Sequence, residues 1–177
     1  MKTMKFWMML AIALVSLCTV SCGSDDDDEG GSKENPISAS DPEGTVIANL
    51  TNTFHPTGNG YYADGIDLFG DIQSRSVFLG MNSSNNLQAE SRWGSNPNIV
   101  SIGKVSGLAS IKNIPETGWS NQTAVIPGYG YVYRWSQSNQ KYYARIYVVD
   151  YMTSTTGGIM GATIKYQDNW KPEYEVE

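Results

Sequence analysis

The chain has 177 residues, 12 basic and 18 acidic, for a formal charge of −6. No basic surface is available to displace counterions from a phosphate backbone, which argues against nucleic acid as a partner. Both cysteines lie before residue 23 and His55 is the only histidine, so the body has no thiol for a disulfide or thiolate metal site and no imidazole pair for zinc; a histidine triad would have to be built on His55.

Lys2 and Lys5 give a positive start, and Phe6 to Val15 is uncharged and apolar. Such a run matches a signal-peptide core and is too short to span about 30 Å of hydrocarbon. Ser21 then precedes Cys22, a small residue before a cysteine, as a lipoprotein peptidase requires. The segment resembles a bacterial lipobox, departing from it at Thr19, where Leu is usual. Cys18 competes, but bulky Leu17 sits directly before it. Cleavage before Cys22 is expected, removing residues 1–21. Loss of Lys2 and Lys5 leaves ten basic residues against 18 acidic ones, a formal charge of −8. Acyl chains on Cys22, at roughly 0.8 kcal/mol per buried methylene, would hold the protein on a membrane.

Gly23-Ser24, Asp25 to Asp28, Glu29 and Gly30-Gly31-Ser32 follow. Like charges in a row repel one another and stay solvated, so residues 22–44 read as a lipidated cysteine and its tether. Residues 45–177 remain as one domain with enough chain for a core.

Within that domain the predicted strands are Thr45 to Leu50, Tyr61 to Phe69, Ser76 to Met81, Leu87 to Trp93, Ile99 to Val105 and Thr123 to Ile126. The segment from His55 to Gly60, with Pro56 and Asn59-Gly60, reads as a turn, as does Asn82 to Asn86. Gly107 to Pro115 fits either a strand or a helical turn. Tyr129, Tyr131, Tyr133 and Trp135 then alternate with Gly130, Val132, Arg134 and Ser136, a period of two. With Ser138-Asn139 as turn residues, Tyr142 to Met152 returns as the second arm of a hairpin. Trp135 then faces Tyr142, Tyr133 faces Ala144, Tyr131 faces Ile146 and Tyr129 faces Val148. The opposite face carries Arg134, Tyr143, Val132 and Arg145, followed by Tyr147, Val149 and Tyr151. Ile159 to Tyr166 makes the last strand, and Asp168 to Glu177 reads as a polar tail. With no 3.6-residue apolar period beyond the signal, the fold class is mostly β: a single-domain antiparallel β-sandwich or barrel of about eight to ten short strands.

Three sets of residues could carry function. Asp64, Asp67 and Asp71 form an acidic cluster. Glycoside hydrolysis needs two carboxyls about 5–5.5 or 6.5–9.5 Å apart, whereas Asp67 and Asp71 on one strand face would stand ~13 Å apart. The trio reads first as turn and strand-end aspartates; calcium, for which it lacks the alternating spacing of an EF-hand loop, comes next, and catalysis after that. The second set is aromatic: Arg134, Tyr143, Arg145 and Tyr147 on one hairpin face, with Trp119 or Trp93 on nearby loops. Flat rings beside Arg or Asn suit the C–H faces of a sugar, and equally a protein surface. His55 reads as a solvent-facing loop residue. No phosphate loop, Gly-x-Ser-x-Gly elbow or nucleotide fingerprint is present, so no cofactor is expected.

Two resemblances add to this. Cys-x-Ser-Asp-Asp-Asp-Asp at 22–28 resembles the export tag of Bacteroidota surface lipoproteins, which implies a position on the outer face of the outer membrane. Ser101 to Leu108, Ile114-Pro115 with Gly118-Trp119, Pro127 to Val132, Ala144 to Tyr151 and Gly157 to Gln167 are similar to an uncharacterised family of Bacteroidota outer-membrane lipoproteins. That family implies no activity and no site residues. The resulting expectation is a surface lipoprotein anchored through Cys22, acting as a non-catalytic binding or adhesion module for a glycan or protein ligand. An accessory subunit of an outer-membrane complex is the alternative, and a carboxylate-based hydrolase a more distant one.

Overall fold

A computed structural model describes residues 37–58, 61–68, 77–92 and 96–173. The expected signal segment, Cys22, the acidic run, Asp71 and Trp93 lie outside the described residues. Eleven strands occur among the described residues: β1 (Val46–Thr51), β2 (His55–Gly58), β3 (Tyr61–Ala63), β4 (Ile66–Asp67), β5 (Val77–Met81), β6 (Asn86–Ser91), β7 (Asn98–Lys104), β8 (Gln122–Ala124), β9 (Tyr129–Gln137), β10 (Gln140–Thr153) and β11 (Ile159–Gln167). Gly107 to Pro115, open between strand and helical turn, contains a single 3-10 turn at Leu108–Ser110. Two differences from the sequence reading bring the strand number to eleven. Tyr61 to Phe69 is divided at Asp64, whose φ of 59° is incompatible with a continuous strand. The expected turn at His55 instead pairs with Ala63, making β2 and β3 a small hairpin.

The architecture is an antiparallel β-sandwich. A five-stranded sheet in the order β1-β11-β10-β9-β7 faces a four-stranded sheet in the order β4-β5-β6-β8. The main core fills the space between them with Leu50, Val77, Leu79, Met81, Leu87, Ile99, Tyr131, Tyr133, Trp135, Ile146, Val148 and Ile164, all fully or almost fully buried. Period-two alternation puts these side chains on facing surfaces of the two sheets.

The β9–β10 hairpin is built as its sequence implies. Ser138 and Asn139 both have left-handed φ, 49° and 64°, as a two-residue turn matched to strand twist requires. Trp135 lies opposite Tyr142, Tyr133 opposite Ala144 and Tyr131 opposite Ile146. Trp135 stacks on Tyr142 at 5.6 Å and meets Tyr133 edge-on at 5.7 Å. Beyond Val148 the register against β11 slips, leaving Val149 as the extra residue of a bulge. That slip corrects one expectation: Tyr151 does not continue the face of Tyr147 but turns towards the main core.

Phenol hydroxyls join the sheets. Tyr131 donates to the Ala124 carbonyl at 2.8 Å and accepts from the Ile126 N–H at 3.0 Å. Tyr133 donates towards the carbonyls of Phe78 at 3.1 Å and Glu90 at 3.4 Å, and Tyr151 donates to that of Val125 at 2.6 Å.

Each sheet is also covered on part of its outer surface. On the smaller one, Phe54 lies over Gly80 and stacks on Tyr62, which packs on Phe78. A Cβ at Gly80 would sit 2.0 Å from the Phe54 ring, so the glycine is required by this close approach. On the larger one, a second core joins Val100, Leu108, Ile111, Val132, Tyr143 and Trp170. Trp170, from the otherwise polar tail, thus contributes a ring that is 7% exposed. Gly130 makes room for this layer, because a Cβ there would meet Ile111, Ile102 and Val105 at 2.9–3.0 Å. Residues 38–44, expected at the end of the tether, are also fastened to the body: Lys165 pairs with Asp41 at 2.7 Å and Gln167 donates to the Glu43 carbonyl at 2.8 Å.

Burial, reinforced by Tyr151 and Tyr129 and opposed by the Ile126 N–H, pushes the Tyr131 phenol up to about 12. An unfolded tyrosine ionises near 10. The stability this group provides is therefore full below pH ~10 and is lost as the pH rises towards 12. Tyr131→Phe, which removes one donor and one acceptor, should cost about 1–2 kcal/mol in denaturant unfolding at pH 8. The same variant should lose less stability than the wild type between pH 10 and 12; equal alkaline slopes would refute the assignment.

Candidate functional site

The hairpin face expected to present Arg134, Tyr143, Arg145 and Tyr147 is the outer face of β9 and β10, against which the second core packs. Tyr143 is 7% exposed and belongs to that core, so it is not the open ring platform anticipated from alternation. Arg134 lies over Trp119, with its guanidinium carbon 3.9 Å from the ring centroid, and the Trp119 indole donates to the Pro115 carbonyl at 3.0 Å. Arg145 is held from three sides. It donates to the Ile111 carbonyl at 2.9 Å and to Gln167 Oε1 at 2.8 Å, and it lies 5.4 Å from the Trp170 ring. Burial lowers its guanidinium below the usual range, with the Glu173 charge acting in the opposite sense. Both arginines, half-buried, thus stack on indole rings between the sheet and its cover.

Fixing Arg145 divides the face. Towards the β9–β10 turn a cleft of about 410 Å³ is lined by Gln140, Lys141, Tyr142, Tyr143, Asn169, Trp170, Lys171 and Pro172. The tail that forms its far wall is tied down by the Trp170 N–H, which donates to the Tyr143 carbonyl at 2.9 Å. Asn169 turns the chain with a φ of 48°. Tyr142 donates to Gln140 Oε1 at 3.2 Å. The lining therefore combines aromatic rings, carboxamides and ammonium groups.

At the other end, Tyr147 and its cross-strand neighbour Lys165 lie in a cleft of about 330 Å³. Its walls are Ser38, Ser40 and Asp41 on one side and Ser106, Ser110 and Leu108 on the other. Most of its polar groups already have partners. Ser38 pairs with Ser40 at 2.8 Å, Ser106 with Ser110 at 2.5 Å, and Asp41 accepts from the Ser38 N–H at 2.8 Å and from Lys165 at 2.7 Å. Both clefts fall at the small end of ligand-site volumes, roughly 300–1,000 Å³. The first has more aromatic surface and more uncommitted polar groups, which makes it the stronger candidate.

The acidic trio does not come together as one described site. Asp64, in its left-handed turn, accepts from Thr53 Oγ1 at 2.7 Å, while Asp67 is exposed in β4 opposite Phe78. Asp71 lies outside the described residues. Among the described residues no three His, Cys, Asp or Glu side chains gather into a metal-sized group. His55 is exposed, and its Nδ1 is engaged with the Thr53 carbonyl.

No family model, curated protein or solved structure matches the chain, so the reading of the clefts rests on their own chemistry. Sequence reasoning placed Tyr143 and Tyr147 beside the clefts but missed Asn169, Trp170 and Lys171. The usable signal was a tryptophan in an otherwise polar tail, which has to be buried against something.

The Asp41–Lys165 pair anchors residues 38–44, with side-chain exposures of 7% and 9%. Burial alone would raise the Asp41 carboxyl, but hydrogen bonds from Lys165 and Ser38 outweigh it and hold the group below its ordinary value of 3.8. The stability it contributes is present above that ordinary value and disappears as the pH falls through the lower folded one. Asp41→Asn, which removes the carboxylate that stands 2.7 Å from buried Lys165, should cost about 3–5 kcal/mol at pH 7. The penalty should shrink below pH 4; a variant as stable as the wild type at pH 7 would refute the anchoring role.

Proposed function

We propose that this protein is a lipid-anchored, non-catalytic binding module on the outer face of the outer membrane, taking a saccharide in the cleft between the β9–β10 turn and the Trp170 tail. The observation that carries the reading is the lining of that cleft, where Tyr142, Tyr143 and Trp170 lie beside Gln140 and Asn169. Tyr143 and Trp170 are largely buried and form the apolar floor, so the half-buried Tyr142 ring is the one that offers a flat surface to sugar C–H faces, and carboxamides both donate to and accept from hydroxyls. The position on the membrane rests on the apolar segment ending at Ser21-Cys22 and on the acidic run that follows. The absence of catalysis is argued from residue types: a single histidine, and an aspartate at position 64 committed to Thr53.

Two experiments test the reading. Full-length lipoprotein in detergent micelles should bind a subset of an oligosaccharide array saturably. A Gln140→Ala, Asn169→Gly double variant, altering two exposed residues with the second replacement compatible with positive φ, should lose about tenfold in affinity, as removal of two hydrogen-bonding groups predicts. Binding only to proteins of the outer membrane, with none to saccharides, would instead favour an accessory subunit. For the anchor, Cys22→Ser should abolish incorporation of labelled fatty acid while Cys18→Ser leaves it intact; labelling that follows Cys18 would move the lipidation site.

A further inference from the structure

We infer that the ligand of this cleft is an acidic saccharide, bearing carboxylate or sulfate, with Lys141 and Lys171 as the groups that receive its charge; the inference rests on the saccharide reading above. Lys141, at the start of β10, and Lys171, in the tail, both belong to the lining, and no acidic residue lines the cleft among the described residues. This local balance opposes that of the chain, whose formal charge is −6.

The other cations near this face are committed. Arg134 lies over Trp119, Arg145 is held by Ile111 and Gln167, Lys165 pairs with Asp41, and Lys112 pairs with Glu173 at 3.4 Å. Lys141 and Lys171 form no ion pair among the described residues.

Hydrogen-bond chemistry points the same way. An ammonium donates three bonds and accepts none, so two of them bias the lining towards acceptors. A neutral sugar's hydroxyls both donate and accept, and its oxygens carry no formal charge to strengthen the bond to an ammonium. A carboxylate or sulfate presents acceptors alone and forms shorter, stronger bonds with ammonium groups. Repulsion between such a ligand and the acidic remainder of the protein is screened beyond about 8 Å at physiological salt, so the nearest charges decide affinity.

The test is calorimetry on full-length lipoprotein in neutral detergent micelles, using oligogalacturonate and its methyl ester, which share a backbone and differ in charge. A sulfated oligogalactan and its unsulfated parent form the second pair, and separate carboxylate from sulfate as the preferred anion. Each acidic form that binds should do so about tenfold more tightly than its neutral partner at about 50 mM salt, an advantage that falls severalfold at about 0.5 M. Lys141→Gln with Lys171→Gln, both at exposed positions, should remove that advantage, weakening binding of the acidic form at least severalfold more than that of the neutral form. Equal affinity for acidic and neutral forms would overturn the charge inference while the saccharide reading stands. Preference for the acid that survives the double substitution would overturn the assignment to these lysines. No binding of any saccharide by the folded protein would overturn both readings.

Discussion

The sandwich depends on phenol hydroxyls that cross its core. The smaller sheet is short of ladder hydrogen bonds, because β4 has two residues and β8 three. Backbone carbonyls left at such strand ends cost free energy if they are buried without a partner. Tyr131 and Tyr133 from β9, and Tyr151 from β10, add donors to the smaller sheet at the carbonyls of Ala124 and Phe78 and, just past β8, of Val125. Leucine at these positions would fill the volume without reaching a carbonyl. Tyrosine does both, at the cost of burying a hydroxyl that must stay protonated. Tyr133 shows this most strongly: burial raises its phenol well above its ordinary value, and the nearby charges of Glu90 and Asp67 raise it further.

The same economy governs the charged residues of the larger sheet. A five-stranded sheet with one face in the main core would normally leave the other to water. Here the segment carrying Leu108 and Ile111, together with Trp170 of the tail, covers part of that face. Arg134 and Arg145 lie at the boundary because guanidinium groups can be half-buried while stacking on indole rings and donating to carbonyls. Covering is incomplete, and its gaps are the two clefts on either side of Arg145. The clefts are therefore a by-product of how far the second layer extends, and their chemistry is set by whichever residues edge that layer.

Much of the architecture was legible from alternation and turn chemistry. Tyr129 to Trp135, Ser138-Asn139 and Tyr142 onward specified a hairpin and its register, since a two-residue turn with both φ positive leaves one pairing and period two leaves one choice of face. The bulge at Val149 was not legible, as no residue there demands it; the slip follows from fitting β10 to β11. The division at Asp64 was also hidden, since aspartate enters left-handed turns and strand ends alike. The function of the outer hairpin face was read too simply because alternation tells which residues share a face and says nothing of what covers it.

By itself, then, the sequence determined the all-β class, the central hairpin, and the lack of thiols and paired histidines that narrows the chemistry. These are local or compositional properties, carried by neighbours in the chain. Only the tertiary structure decided that Tyr143 is core, that Arg134 and Arg145 stack on indole rings, that Asp41 is fastened to Lys165, and that Lys141 and Lys171 line the same cleft. Each of those facts joins residues distant in the chain, and burial and charge pairing arise only when the strands that carry them are brought side by side.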